Sequence, residues 1–218
     1  MHRLADIYRT TLGKKLAMAV TGTALLAFVL VHMLGNLQVF LGAEAINRYA
    51  RFLRVEPALL WAARLVLLAS VAVHIVAAVQ LTLANWAARP VGYARRVYRA
   101  TDYASRTMVW SGPIVAAFVA YHLLHLSVGI VHPDFVPGDV HHNIVAGFSV
   151  WYVSLFYVVA QFALGLHLYH GVWSLTQTLG VTHPALDTWR RRVAQGAAAA
   201  IVLGNCSVPV AVLTGLVR

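Results

Sequence analysis

The chain has 218 residues, 60% of them apolar and only 11% charged, where a water-soluble domain carries roughly a quarter charged residues. Its net charge of +10 does not mark a nucleic-acid binder, because the basic residues fall in clumps between apolar runs instead of on a polar surface. The single cysteine, Cys206, excludes an internal disulfide, a cysteine-ligated iron–sulfur cluster and a paired-cysteine haem attachment.

A helix of about 20 apolar residues crosses a bilayer core. Five stretches reach that length: Leu16–Leu41, Ala58–Leu83, Met108–Val131, Ser149–Thr176 and Ala194–Val217. The expected fold is therefore an all-α membrane protein, residues 1–218 as one domain. Its first four helices form an up-down bundle. Lys14 and Lys15 precede the first run as they would in a signal peptide, but the run is too long for a signal h-region. Arg3, Arg9, Lys14 and Lys15, then Arg89, Arg95, Arg96, Arg99 and Arg106, then Arg190, Arg191 and Arg192 share one side. The third connection has no Lys or Arg; the first has Arg48, Arg51 and Arg54, with Arg64 early in the second span. The positive-inside rule puts the N-terminus in the cytoplasm and the C-terminus outside. Trp86 to Arg106 interleaves Arg with Trp, Tyr and Val, which suits either an interfacial segment on anionic lipid or a docking surface for a cytoplasmic partner.

Ionisable residues inside spans are costly and usually functional. Acids are nearly absent from the spans, and histidine takes their place: His32 in the first, His74 in the second, His122 and His125 in the third, His167 and His170 in the fourth. Each of the four spans has a histidine about 60–65% of the way along. Because successive spans run in opposite directions, His32 and His122 form a layer toward the outer face, and His74 and His167 one toward the cytoplasm. The layers are expected about 10 Å apart. In an up-down bundle the first and third helices face each other across the core, as do the second and fourth. Two opposed imidazoles at one depth are what a six-coordinate haem needs. Small neighbours (Ser70, Ala77 and Ala78 by His74, Ala163 and Gly171 by His167, Gly35 by His32) would admit a macrocycle. His125 and His170, one turn from these, would hydrogen-bond to propionates, backbone or quinone, or replace a neighbour as ligand. His2, His132, His141, His142 and His183 read as exposed polar residues, with a weak metal signal at His141–His142.

The segments HMLGNLQVFLGAEAINRYARFL (His32–Leu53), KKLAMAVTG (Lys14–Gly22), AYHLLHLSVG around His122 and HLYHGVWSLTQTLGV (His167–Val181) resemble the cytochrome b subunit of the succinate dehydrogenase/fumarate reductase family, in its single-chain, five-helix, dihaem form. The resemblance covers essentially the whole chain. It implies an anchor in the bacterial cytoplasmic membrane for a flavoprotein subunit and an iron–sulfur subunit, the succinate chemistry lying in those subunits. It also implies two b-type haems, with His74 and His167 on the proximal one and His32 and His122 on the distal one, and menaquinone as the electron partner. A higher oligomer of the whole complex is compatible with it. Some family members carry a proton-handling glutamate in the membrane, whereas this chain has only Glu44 and Glu56 near the outer end. Hydrogen-bond donors for quinone or propionate contact are Lys15, Tyr103, Arg106, Trp173 and Gln177 on the cytoplasmic side, and Asn36, Gln38, Asn47 and Arg48 on the outer side; interfacial anchoring is the alternative for each. Two other classes fit the same pattern: an ascorbate-reducing dihaem cytochrome, and a haem-free channel that uses histidine for protons.

Overall fold

The computed structural model describes residues 2–88 and 103–218, with side chains from Asp6 and from Arg106 onward. Arg89, Arg95, Arg96, Arg99 and the Tyr103 side chain lie outside the described residues, and with them most of the basic–aromatic segment after Trp86. All regular structure among the described residues is helical. The order is α1 (His2–Arg9), α2 (Thr11–Asn36) running into a 3-10 turn at Leu37–Leu41, α3 (Ala43–Phe52), α4 (Pro57–Ala87), α5 (Tyr103–His122) running into a π-helix at Leu123–Val128, α6 (Val140–Ser149), α7 (Trp151–Thr178), a 3-10 turn at Pro184–Leu186 and α8 (Asp187–Leu213). Five segments are long and apolar enough to cross a membrane: Thr11–Leu41, Pro57–Ala87, Arg106–Val128, Trp151–Thr178 and Pro184–Leu213.

The boundaries differ from the hydropathy reading for local reasons. The Thr10 hydroxyl accepts from the Gly13 amide at 2.9 Å and caps α2, so Lys14 and Lys15 ride on the helix instead of preceding it. Helix α8 starts at Asp187 and includes Arg190, Arg191 and Arg192. Of these Arg190 is buried and donates to the Val181 carbonyl and the Asp187 carboxylate, so it is a structural clip and not a surface charge. The third span ends at Val128 because Gly129 turns at φ +87°, where a Cβ would strike the Phe135 ring. Val150, extended, separates α6 from α7.

Two short helices, α3 and α6, fill connections that hydropathy left blank. They pack on each other. Asn47 Nδ2 donates to Asp139 at 2.9 Å, Asn47 Oδ1 accepts from the His141 amide at 3.1 Å, and Asp139 caps α6 by accepting from the His142 amide at 3.0 Å. These helices close one end of the molecule, the capped end; α1 lies at the opposite end.

Helix α2 packs along α4, α5 along α7, and α7 along α8, while α2 also meets α7 and α8. Tyr8 donates to Gln80 at 3.2 Å and joins α1 to the second half of α4, and Thr21 and His74, 3.2 Å apart, join the first half of α2 to it. A buried apolar cluster, including Val39, Ile46, Phe118, Phe148, Tyr157 and Val212, lies at the capped end. Helix α4 exposes Leu65, Val66, Leu68, Val73, Ile75, Val76, Val79 and Leu83 around its circumference, a pattern that suits hydrocarbon and not water.

Candidate functional site

Four of the span histidines form two pairs. His32, in the last turns of α2, and His122, the last residue of α5, have ring centroids 5.7 Å apart with planes at 85°. His74 on α4 and His167 on α7 have centroids 6.2 Å apart with planes at 57°. Two imidazoles sharing one metal, each nitrogen about 2 Å from it, stand with centroids about 6 Å apart. Both pairs have that spacing. Neither α2 with α5 nor α4 with α7 is a closely packed helix pair, so each imidazole pair reaches across a gap between helices.

Contacts set the two levels. His74 lies against Thr21 at 3.2 Å and against Gly22, where a Cβ would come within 3.3 Å of its ring. Those residues are ten and eleven positions from His32 on α2, about 15 Å along the axis. Tyr157, 3.4 Å from His122, is ten positions from His167 on α7, the same rise. The separation exceeds the expected 10 Å because α2 and α4 are staggered, with His74 against Thr21 and Gly22 and not at the depth that matched span fractions would give.

Partners orient the rings. Thr21 donates its hydroxyl proton to the Ala17 carbonyl at 2.7 Å, so it accepts from His74 Nδ1 and leaves His74 Nε2 with a free lone pair. His32 Nε2 faces the Asn36 amide at 3.1 Å, which must turn aside for that nitrogen to hold a metal. His167 Nδ1 is buried without a hydrogen bond. The donor chemistry, neutral imidazoles in opposed pairs with no thiolate or carboxylate beside them, fits haem iron; zinc takes three or four protein ligands.

His122, not His125, is the third-span histidine beside His32. The π-turn that begins at Leu123 rotates His125 away from His32, and π-turns inside helices are frequent at functional sites. It is fully buried, bonded through Nδ1 to the Tyr157 hydroxyl at 2.9 Å and stacked on His132 at 4.8 Å. His132 is thus half-buried and not the exposed loop residue expected: it donates from Nε2 to the Asn143 carbonyl at 2.8 Å and accepts at Nδ1 from the Asp134 amide at 3.0 Å. His170 packs edge-on to Trp173 at 6.3 Å, and the Arg191 guanidinium lies 4.4 Å over the Trp173 ring.

The other candidates scatter. Lys15 and Gln177 are exposed on α2 and α7, and Arg106 is exposed at the start of the third span. Asn47 is committed to the α3–α6 clamp, and Arg48 pairs with Glu44 at 3.6 Å on the surface. Gly35 makes room for the Tyr49 ring, 2.6 Å from where its Cβ would be, and not for a macrocycle beside His32. His142 pairs with Asp134 at 3.0 Å, and among the described residues no group of three His, Cys, Asp or Glu forms a metal site. Thr21 and Tyr157 went unnoticed in the sequence; a hydroxyl two helices away from a histidine leaves no signal in spacing. Compared with protein-family models, curated proteins and solved structures, the chain matches none.

Proposed function

We propose that this chain is a dihaem membrane cytochrome b that anchors a succinate:quinone oxidoreductase and passes electrons between a docked iron–sulfur subunit and menaquinone. The observation that carries the reading is the two imidazole pairs, at 5.7 and 6.2 Å, on separate levels of the same helices. His32 and His122 would hold one haem b, and His74 and His167 the other. Bound there, haem supplies reversible one-electron iron chemistry. The contacts of α2 with α4, α5 with α7 and α2 with α7 support an up-down arrangement in which α2 faces α5 and α4 faces α7. Thr21 and Tyr157 orient one imidazole at each level, and the apolar walls exclude water.

The sequence segments from His32 to Leu53 and from His167 to Val181 support the family assignment, and the clustered Arg and Lys support a cytoplasmic N-terminus in a bacterial inner membrane. On that orientation the capped end is outside, and the exposed Arg48, Arg51 and Arg54 lie on or just after α3, an amphipathic helix at the interface. The iron–sulfur subunit would dock at the end opposite the cap, beside His170, Trp173 and Arg191.

The test is a reduced-minus-oxidised spectrum with pyridine haemochrome quantification on the detergent-purified protein. Two six-coordinate b haems per chain are expected. One haem would make one pair structural, and none would return the chain to the class of histidine-based channels. Co-purification of a flavoprotein and succinate-dependent haem reduction would support the family assignment; ascorbate reduction of a lone chain would overturn it.

A further inference from the structure

The Tyr157 hydroxyl stands between two imidazoles, 3.4 Å from His122 Nδ1 and 2.9 Å from His125 Nδ1. Its ring is buried and packed edge-on against Phe118 at 5.1 Å and Phe148 at 4.8 Å, so the hydroxyl has little freedom to move. His125 in turn is held by its stack on His132, and His132 is locked by partners on both nitrogens. A hydroxyl has one proton and therefore one direction. For His122 to bind a metal through Nε2, its Nδ1 must carry the proton, and the Tyr157 oxygen accepts it. The Tyr157 proton then goes to His125 Nδ1. Donation runs from His122 to Tyr157 to His125.

We infer that Tyr157 is a positioning residue for the His122 ligand, turning its imidazole and raising its basicity, with His125 as the anchor that keeps the hydroxyl in place. The inference rests on the dihaem reading. A hydrogen bond accepted from the far nitrogen makes a histidine ligand more basic, which favours ferric iron and lowers the potential of the haem it holds. The other level has its own version: Thr21 accepts from His74, but its anchor is a backbone carbonyl, Ala17, and not a side chain. Only at the His122 level can substitution of the anchor separate hydroxyl orientation from hydroxyl presence.

The experiment uses the full chain, purified in detergent with its haems, and compares wild type with Tyr157→Phe and His125→Phe. In Tyr157→Phe both haems should remain. The reduction equilibrium of the haem on His32 and His122 should shift about tenfold toward ferrous, ~59 mV for one electron, and its low-spin ferric resonance should move. The haem on His74 and His167 should change in neither. His125→Phe, which keeps the tyrosine but frees its hydroxyl, should shift the same haem in the same direction by less. An unchanged potential and resonance in Tyr157→Phe with both haems bound would overturn the inference and leave the dihaem reading standing. If Tyr157→Phe loses that haem, His125→Phe decides: a shift supports the role, and none makes Tyr157 a packing residue. A wild-type chain without two haems fails the dihaem reading, and this inference with it.

Discussion

Around His32 and His122 the protein is walled with rings. Phe28 stacks on His32 at 5.3 Å, Phe118 lies 5.9 Å from His122, and Tyr157, Phe148, His125 and His132 continue the wall beneath the α3–α6 cap. His74 and His167 have instead Thr21, Gly22 and Ala77, and α4 packs closely on α2 alone among the described helices. The first pair is held by a shell of protein rings, and the second has fewer described side chains against it. On the dihaem reading, ligand binding and local stability should therefore be coupled more strongly at the second.

The sharpest break between the two sites is ligand removal. His74→Ala or His167→Ala should remove one haem of two and leave the other, and His32→Ala or His122→Ala should do the converse, read by haem stoichiometry. Loss of neither haem signal in the first two variants would sink the assignment. Next in size, in haem-depleted protein α4 should exchange its amides fastest among the five long helices, and haem should restore it. Equal protection with and without haem would mean that the His74–His167 level is preformed too.

Glycine substitutions sharpen the contrast. A Cβ at Gly147 would sit 2.8 Å from His125 and 2.9 Å from His132, two rings with nowhere to go, whereas one at Gly22 would sit 3.3 Å from His74 alone. Gly147→Ala should cost about 1–3 kcal/mol, as overpacking does, and perturb the His122 level, measured by thermal unfolding and the haem spectrum. Gly22→Ala should cost less and move only the other haem's signal. The smallest effect concerns the cap. The His142 amide, then the Asn47 side chain, hold the Asp139 carboxyl below the usual carboxylate range. A lowered folded pKa means stability present above about pH 3.9 and lost as pH falls through the lower folded value. Asp139→Asn keeps the helix cap at neutral pH but should show less acid destabilisation than wild type. Parallel acid curves would remove the charge from the account.

The five apolar runs and the depth of the histidines were legible because a span is a local property: about 20 apolar residues, whatever they touch. That His32 and His122, and His74 and His167, would pair followed from alternating direction together with the diagonal facing of helices in an up-down bundle. The same reasoning misjudged the distance between levels, because how far α4 slides along α2 is set by tertiary contacts such as Thr21 against His74.

Composition along the chain thus determined that this is a helical protein with five segments able to cross a membrane, and it determined which of them carry imidazoles. Only the tertiary structure decided what each imidazole faces. The π-turn at Leu123 turns His125 to Tyr157, the loop after Gly129 folds His132 back onto His125, and Asn47 ties α3 to α6 across 92 residues of chain. Hydropathy reports how a residue interacts with its solvent. Ring stacks, hydroxyl bridges and helix stagger are settled by neighbours far away in the chain, and no local pattern encodes them.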